Sequence, residues 1–65
     1  MQNKNPYDMH YKHRKDVDTV EVYRPNKFRF YFQGAKSARH VNDDIEVVSS
    51  LNHKITIDHF GIRHW

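Results

Sequence analysis

The fold is decided by two neighbouring stretches of this 65-residue chain, Asp18-Thr-Val-Glu-Val-Tyr-Arg24 and Lys27-Phe-Arg-Phe-Tyr-Phe-Gln33. Both are rich in the β-branched and aromatic residues that favour strands. Between them, Pro25 fixes φ for the first position of a turn and Asn26 suits the second position. The pattern therefore predicts a β-hairpin.

The length of the hairpin loop decides which side chains are buried together. Phenylalanines occupy three alternate positions of the second stretch and share one face of the strand: Phe28, Phe30 and Phe32. An odd loop of residues 25–27 aligns them with Val20 and Val22, whereas a two-residue loop would bury Glu21 beside them. Because an unpaired buried charge is costly, the sequence predicts the odd loop.

A second hairpin is predicted from Asp44-Ile-Glu-Val-Val-Ser-Ser-Leu51 and Lys54-Ile-Thr-Ile-Asp58, again across an odd loop. Gly61 then permits a bend before a short last strand. The connector, residues 34–43, shows no strand pattern. Its apolar residues recur every three positions at Ala35, Ala38 and Val41, which leaves a short helix and a polar loop as alternatives.

The predicted fold class is mainly β, with four to five antiparallel strands in two hairpins. Such a short sheet must curl on itself, pack a helix or pair with a second copy. Curling, which is favoured, would give a small barrel of the SH3-like, Sm-like or OB-like kind, although no motif of those families is present. The predicted buried face comprises Val20, Val22, Phe28, Phe30, Phe32, Ile45, Val47, Leu51, Ile55 and Ile57.

The chain divides into a polar, basic N-terminal arm, residues 1–16, and a single small β domain, residues 17–65. Within the arm, Tyr7, Met9 and Tyr11 alternate, so a short edge strand and a flexible extension both remain open.

Composition excludes several classes of protein. The absence of Cys removes disulfide scaffolds, cysteine-containing zinc sites and thiol nucleophiles. The sequence has neither the apolar segment of a signal peptide nor the roughly 20 apolar residues that span a bilayer. We therefore expect a soluble, cytoplasmic protein that has no contact with a membrane.

Neither an enzyme nor a cofactor is predicted. His10 and His13 have an H-x-x-H spacing, but structural zinc sites usually contain Cys, so surface histidines are the simpler interpretation. Asp58 beside His59 supplies acid–base groups without an activated nucleophile or a phosphate-binding loop. No metal site is therefore predicted either.

The predicted function is binding, first of all to DNA or RNA. Lys and Arg number 11 against 8 Asp and Glu, so the net charge is +3 with neutral His and favours anionic partners weakly. An outward-facing Arg can neutralise a phosphate, and an outward-facing Tyr can stack on a base. The predicted nucleic-acid-binding residues are Arg14, Lys15, Arg29, Tyr31, Lys36, Arg39 and His40.

The alternative function is binding to a protein target. The aromatic residues, Trp65 among them, exceed what so small a core can use, and interfaces favour such residues. The acidic run of residues 43–46 would suit a basic groove on a larger enzyme, including one that processes nucleic acid. In this interpretation the chain is an inhibitor or adaptor of the kind that phages and other mobile elements encode, and it can also form a homo-oligomer.

Overall fold

The computed structural model describes residues 7–65, which form seven strands and one short 3-10 helix. The elements in chain order are β1 (His10–Arg14), the 3-10 helix (Lys15–Val17), β2 (Thr19–Arg24), β3 (Phe28–Gln33), β4 (Ala35–Val41), β5 (Asp44–Ser49), β6 (Lys54–Ile57) and β7 (Arg63–His64). The first six residues of the predicted arm lie outside this range.

The strands form two antiparallel sheets. The N-terminal sheet has the order β1-β2-β3, and the C-terminal sheet has the order β4-β5-β6-β7. The mainly β prediction is confirmed. The prediction of four to five strands is too low, and the expected barrel is wrong, because the strands of residues 7–65 form two separate sheets rather than one closed sheet.

The register of the first hairpin follows from its odd loop, as predicted. Val20 lies opposite Phe32, and Val22 lies opposite Phe30. In the turn, the backbone N–H of Lys27 donates to the carbonyl oxygen of Arg24 at 2.9 Å. Asn26 has a φ of 65°. Proline followed by a residue of positive φ is typical of a type II turn.

The second hairpin also has an odd loop, with Ile45 opposite Ile57. The Ser49 hydroxyl oxygen accepts hydrogen bonds from the backbone N–H groups of Leu51 and His53, both at 3.1 Å. These bonds turn the loop away from the ladder, so Leu51 is 75% exposed and its prediction as a core residue was wrong. The predicted short last strand after Gly61 is β7.

The connector is a strand, which neither of the two predicted alternatives anticipated. β4 pairs with β5, and the register shifts between Ala35 and Ser37. This irregularity places Lys36 as an extra residue, so Ala35 and Ala38 both face the core although they are three positions apart. The spacing that resembled helical periodicity is therefore produced by a β-bulge.

The core lies between the two sheets. Its fully buried apolar residues are Met9, Val20, Val22, Ala35, Ile45, Val47 and Ile57. Met9 comes from the predicted arm, where the edge-strand alternative is the one observed, because β1 pairs with β2. The three phenylalanines of β3 pack against this core but remain partly exposed, since β3 is an edge strand.

Gly34 joins the two sheets. Its φ of +73° turns the chain from β3 into β4. Two backbone hydrogen bonds flank the junction, from Ala35 N–H to the Asp18 carbonyl at 3.0 Å and from Ser50 N–H to the Gly34 carbonyl at 2.8 Å. In the described part of the chain, no helix has the length and apolar character needed to cross a membrane.

Candidate nucleic-acid interface

The outer face of the N-terminal sheet carries alternating basic and aromatic side chains. Antiparallel pairing places His10, Tyr23 and Arg29 in one row across the three strands, with Lys12, Glu21 and Tyr31 in the next. A third row contains Arg14, Thr19 and Gln33. We call six of these residues the basic–aromatic face: His10, Lys12, Arg14, Tyr23, Arg29 and Tyr31.

The ring of Tyr23 is held between two neighbours. The His10 ring lies on one side at a centroid distance of 5.4 Å with an interplanar angle of 30°. The Arg29 guanidinium carbon lies 5.0 Å from the centroid of the Tyr23 ring, within cation–π range. His10 is itself fixed by an interaction with the Asp8 carboxylate. Tyr31 is therefore the more accessible tyrosine of this face, with 63% of its surface exposed.

Arg29 is held beside Tyr31 by a buried carboxylate. Its Nη1 atom lies 2.8 Å from Oε2 of Glu21, whose side chain is largely buried. The Tyr31 side chain, and next the Glu21 carboxylate, raise the pKa of the Arg29 guanidinium above its ordinary value. Arg29 consequently stays protonated and positioned next to the exposed ring, while part of its charge is balanced by Glu21.

The cations of β1 are less engaged. Nη2 of Arg14 lies 3.9 Å from Oδ2 of Asp16, and both side chains are mostly exposed, so this ion pair is weak. Lys12 has no ion-pair partner among residues 7–65. Lys15 follows β1 as an exposed residue of the 3-10 helix. The basic–aromatic face thus presents three permanent cations, of which Arg29 is paired with the buried Glu21 and Arg14 is only weakly paired with the exposed Asp16.

The structure divides the residues that the sequence predicted as one site. Arg14, Arg29 and Tyr31 share the basic–aromatic face, with Lys15 at its end. Lys36 and Arg39 lie instead on the outer face of the C-terminal sheet, which points to the opposite side of the molecule. Arg39 Nε there donates to Glu46 Oε1 at 2.8 Å, and Lys36 hydrogen-bonds Asn52.

His40 belongs to neither outer face. It lies opposite the buried Ile45 on the core-facing side of β4, which is an edge strand. Its ring is 5.3 Å from the ring of Tyr11 in β1. His40 thus lies where β4 of the C-terminal sheet meets β1 of the N-terminal sheet.

An apolar groove, which the sequence did not reveal, opens between β3 and β6 with a volume of about 420 Å³. Phe32, Val47 and Ile55 line it, and Leu51 and Trp65 stand at its rim. Trp65 is 87% exposed. Tyr31 also lines the groove, so this cavity is continuous with the basic–aromatic face. The groove remains open because β7 is only two residues long and does not extend along β6 to Ile55.

Asp58 organises the loop that leads into β7. Its Oδ1 accepts the backbone N–H groups of Phe60 at 2.9 Å and Ile62 at 3.0 Å, and its Oδ2 lies 3.0 Å from Nε2 of His64. The hydrogen bond with His64, followed by those from Ile62 and Phe60, lowers the pKa of Asp58 despite partial desolvation. The neighbouring His59 ring stacks on Tyr7 at a centroid distance of 3.8 Å. These contacts give Asp58 and His59 structural roles.

Comparisons with protein-family models, with curated proteins and with solved structures found no match for this chain. Nor do three or more His, Asp or Glu side chains of residues 7–65 gather in a geometry that could hold a metal ion. A function must therefore be inferred from the chemistry of the basic–aromatic face and of the groove beside it.

Proposed function

We propose that the protein binds single-stranded nucleic acid, RNA or DNA, on the basic–aromatic face of its N-terminal sheet and catalyses no reaction. One observation carries this proposal: the exposed ring of Tyr31 lies beside the fixed guanidinium of Arg29, on the same face as Lys12 and Arg14. An exposed aromatic ring with cations around it is the combination that stacks a base and neutralises the adjoining phosphates.

The preference for a single strand follows from the stacking ring. A base that is unpaired can lie flat on Tyr31, whereas a paired base is covered by its neighbours in a duplex. Stacking of this kind contributes about 1–3 kcal/mol per base. The three cations add a salt-dependent term through counterion release. Affinity is therefore expected to be moderate and to fall as salt is raised.

The opposite side of the molecule is less suited to this role. The outward-facing residues of β4, β5 and β6 are Ser37, Arg39, Val41, Asp44, Glu46, Val48, Lys54 and Thr56, as given by the pairing of these strands. None of them is aromatic, and they include two carboxylates, one of which is paired with Arg39. Lys36 and Arg39 consequently serve as controls for the basic–aromatic face.

Fluorescence anisotropy tests the proposal with labelled single-stranded RNA, single-stranded DNA and duplex oligonucleotides, titrated between about 50 and 200 mM salt. We expect the single strands to bind more tightly than the duplexes. Tyr31→Ala should weaken binding by roughly 5- to 150-fold, corresponding to the loss of one stacked base. Phe60→Ala removes an exposed aromatic ring that is not part of this face. It is the matched control and should bind as the unaltered chain does.

The cations are tested by the salt dependence. The double variant Lys12→Ala/Arg14→Ala should reduce the slope of log K against log salt by about 1.4, because each phosphate contact to a single strand contributes about 0.7. The matched variant Lys36→Ala/Arg39→Ala should leave the slope unchanged. Absence of binding to every oligonucleotide at the lowest salt would overturn the proposed function.

A second candidate function is binding to a protein target, as an inhibitor or adaptor. The observation that favours it is the apolar groove, whose rim exposes Leu51 and Trp65 to solvent. Pull-down from a lysate before and after nuclease treatment separates the two candidates. A partner that is retained after nuclease treatment indicates a protein target, and one that is lost indicates nucleic acid.

A further inference from the structure

The described part of the chain has four sheet edges, and three of them are unsuited to pairing with another strand. β1 carries Lys12 and Arg14, β4 is bulged at Lys36 and also carries Arg39, and β7 has two residues. Charges, bulges and short length are the usual devices that prevent strand addition at an edge. These edges are therefore protected.

β3 lacks such protection. It is six residues long, regular in its pairing with β2, free of proline and charged only at Arg29. The groove opens beside the last three residues of this strand, Tyr31, Phe32 and Gln33, and the three phenylalanines of β3 are partly exposed. A long apolar edge left open in this way is expected to be covered by another strand.

We propose that two copies of the chain associate through β3, paired antiparallel about a two-fold axis, to form one continuous six-stranded sheet. Because the two-fold axis is perpendicular to the sheet, the residues that face the core in one copy lie on the same side of the six-stranded sheet as the core-facing residues of the other copy. With Phe30 opposite the same residue of the second copy, Phe28 lies opposite Phe32. Arg29 of each copy then lies opposite Tyr31 of the other.

The charge arrangement favours β3 over the other edges as the place where a second copy can pair. The chain carries a net charge of +3, so two copies repel each other unless their contact keeps the cations apart. At β3 the only cation is Arg29, which Glu21 partly balances in its own copy. The proposed register brings the guanidinium next to a tyrosine ring rather than next to a cation, an arrangement that cation–π attraction supports. Pairing through β1 would instead bring Lys12 and Arg14 of the two copies together.

This inference does not depend on nucleic-acid binding. If both hold, the dimer extends the basic–aromatic face across the two-fold axis, with one Tyr31 on each side. Phe32, Leu51 and Trp65 lie beside the proposed contact, at or near the open end of the groove. A second copy would therefore shield apolar surface that the single chain leaves in water.

Sedimentation equilibrium of the full chain is the first test, and a mass that rises with concentration from 7.9 kDa towards twice that value is expected. The register is tested by cross-linking, which is specific because the chain has no native Cys. Arg29→Cys and Tyr31→Cys are placed at exposed positions, and thermal melting checks that each variant is folded. When the two are mixed and oxidised, the mixed disulfide should be the main product, since directly opposed residues lie within bonding distance.

Arg39→Cys, exposed on the other sheet, measures disulfide formation by random collision. A mixed disulfide that forms faster than this control, with a mass above that of the monomer, supports the proposal. A monomer at all concentrations would overturn it, and so would a Tyr31→Cys homodisulfide as the main product. A monomer that still binds oligonucleotides would leave the proposed function intact.

Discussion

Arg29 and Glu21 form an ion pair between adjacent strands, with Nη1 of the arginine 2.8 Å from Oε2 of the glutamate. Arg39 and Glu46 repeat this arrangement on the outer face of the other sheet, where Nε lies 2.8 Å from Oε1. In each pair a mostly exposed guanidinium meets a mostly buried carboxylate. The two pairs therefore provide matched tests of which face binds.

Glu21→Gln is expected to strengthen binding to single-stranded nucleic acid. The substitution preserves the shape of the side chain but releases the charge of Arg29 for a phosphate. The slope of log K against log salt should steepen by at most about 0.7, the contribution of one phosphate contact, because Glu21 balances only part of the Arg29 charge. Anisotropy titrations over a salt series measure both effects. Glu46→Gln should change neither the affinity nor the slope. If Glu46→Gln increased the affinity more than Glu21→Gln, the interface would lie on the C-terminal sheet, contrary to the proposal.

Ile57→Ala is expected to destabilise the fold by about 2–5 kcal/mol, because Ile57 is fully buried between the sheets. A domain of this size has a total stability of only about 3–5 kcal/mol, so the variant should be largely unfolded at room temperature. Leu51→Ala on the same hairpin should change stability by no more than about 0.5 kcal/mol, since its side chain faces solvent. Urea unfolding, monitored by circular dichroism, measures the free energy of unfolding of both variants. Equal losses of stability in the two variants would contradict the observed loop conformation.

Gly61→Ala is expected to destabilise the protein more than Gly34→Ala. Both glycines have positive φ, +83° and +73°, so each substitution carries a backbone cost of about 1–2 kcal/mol. At Gly61 an added Cβ would also lie 2.9 Å from Cδ2 of Phe28, whereas at Gly34 no atom lies within 4 Å. Thermal melting of the two variants isolates the steric contribution. Indistinguishable melting temperatures would mean that the loop of Gly61 does not pack on Phe28.

Asp58→Asn is expected to lower the melting temperature near neutral pH. The pKa of Asp58 is lowered in the folded protein, chiefly by its hydrogen bond with His64. The ionised carboxylate therefore stabilises the fold at pH values above 3.8, the pKa of this group in the unfolded chain. This stabilisation is lost as the pH falls through the lowered pKa of the folded protein. The difference in melting temperature between the variant and the unaltered chain should consequently shrink in acid.

The control for this pH dependence is Asp43→Asn. Asp43 is exposed in the turn between β4 and β5, and the described residues give it no comparable set of hydrogen bonds. The melting temperature of Asp43→Asn should therefore stay close to that of the unaltered chain at neutral pH and in acid alike. A gap for Asp58→Asn that stays constant down to the lowest pH would contradict the assigned role of its carboxylate.

The sequence was sufficient to predict the two hairpins of the fold. The register of the first hairpin followed from the cost of burying Glu21, and the same alternation placed Arg29 and Tyr31 outward. β4 was missed because a bulge at Lys36 changes the phase, so that inward-facing alanines are three positions apart. Alternation along a sequence cannot reveal such a shift.

The candidate site was predictable only in part. Arg29 and Arg39 both face outward on their own strands, but whether they share a surface depends on how the chain turns at Gly34. That turn sends the two strands into different sheets, so the predicted patch is divided. The groove depends on where β7 ends, which is a property of the sheet edge rather than of any motif.

The junction at Gly34 has a consequence for how the molecule could be taken apart. Within residues 7–65, every strand pairs with the strand next to it in the chain, and all strand pairings lie wholly before or wholly after this residue. The two halves are joined by side-chain packing, by the two backbone hydrogen bonds at the junction, and by a hydrogen bond that Arg24 Nη1 donates to the His59 carbonyl at 2.7 Å. Two peptides that correspond to the halves before and after Gly34 should therefore reassociate without a covalent link between them. Calorimetry would measure the free energy of this fragment complementation directly.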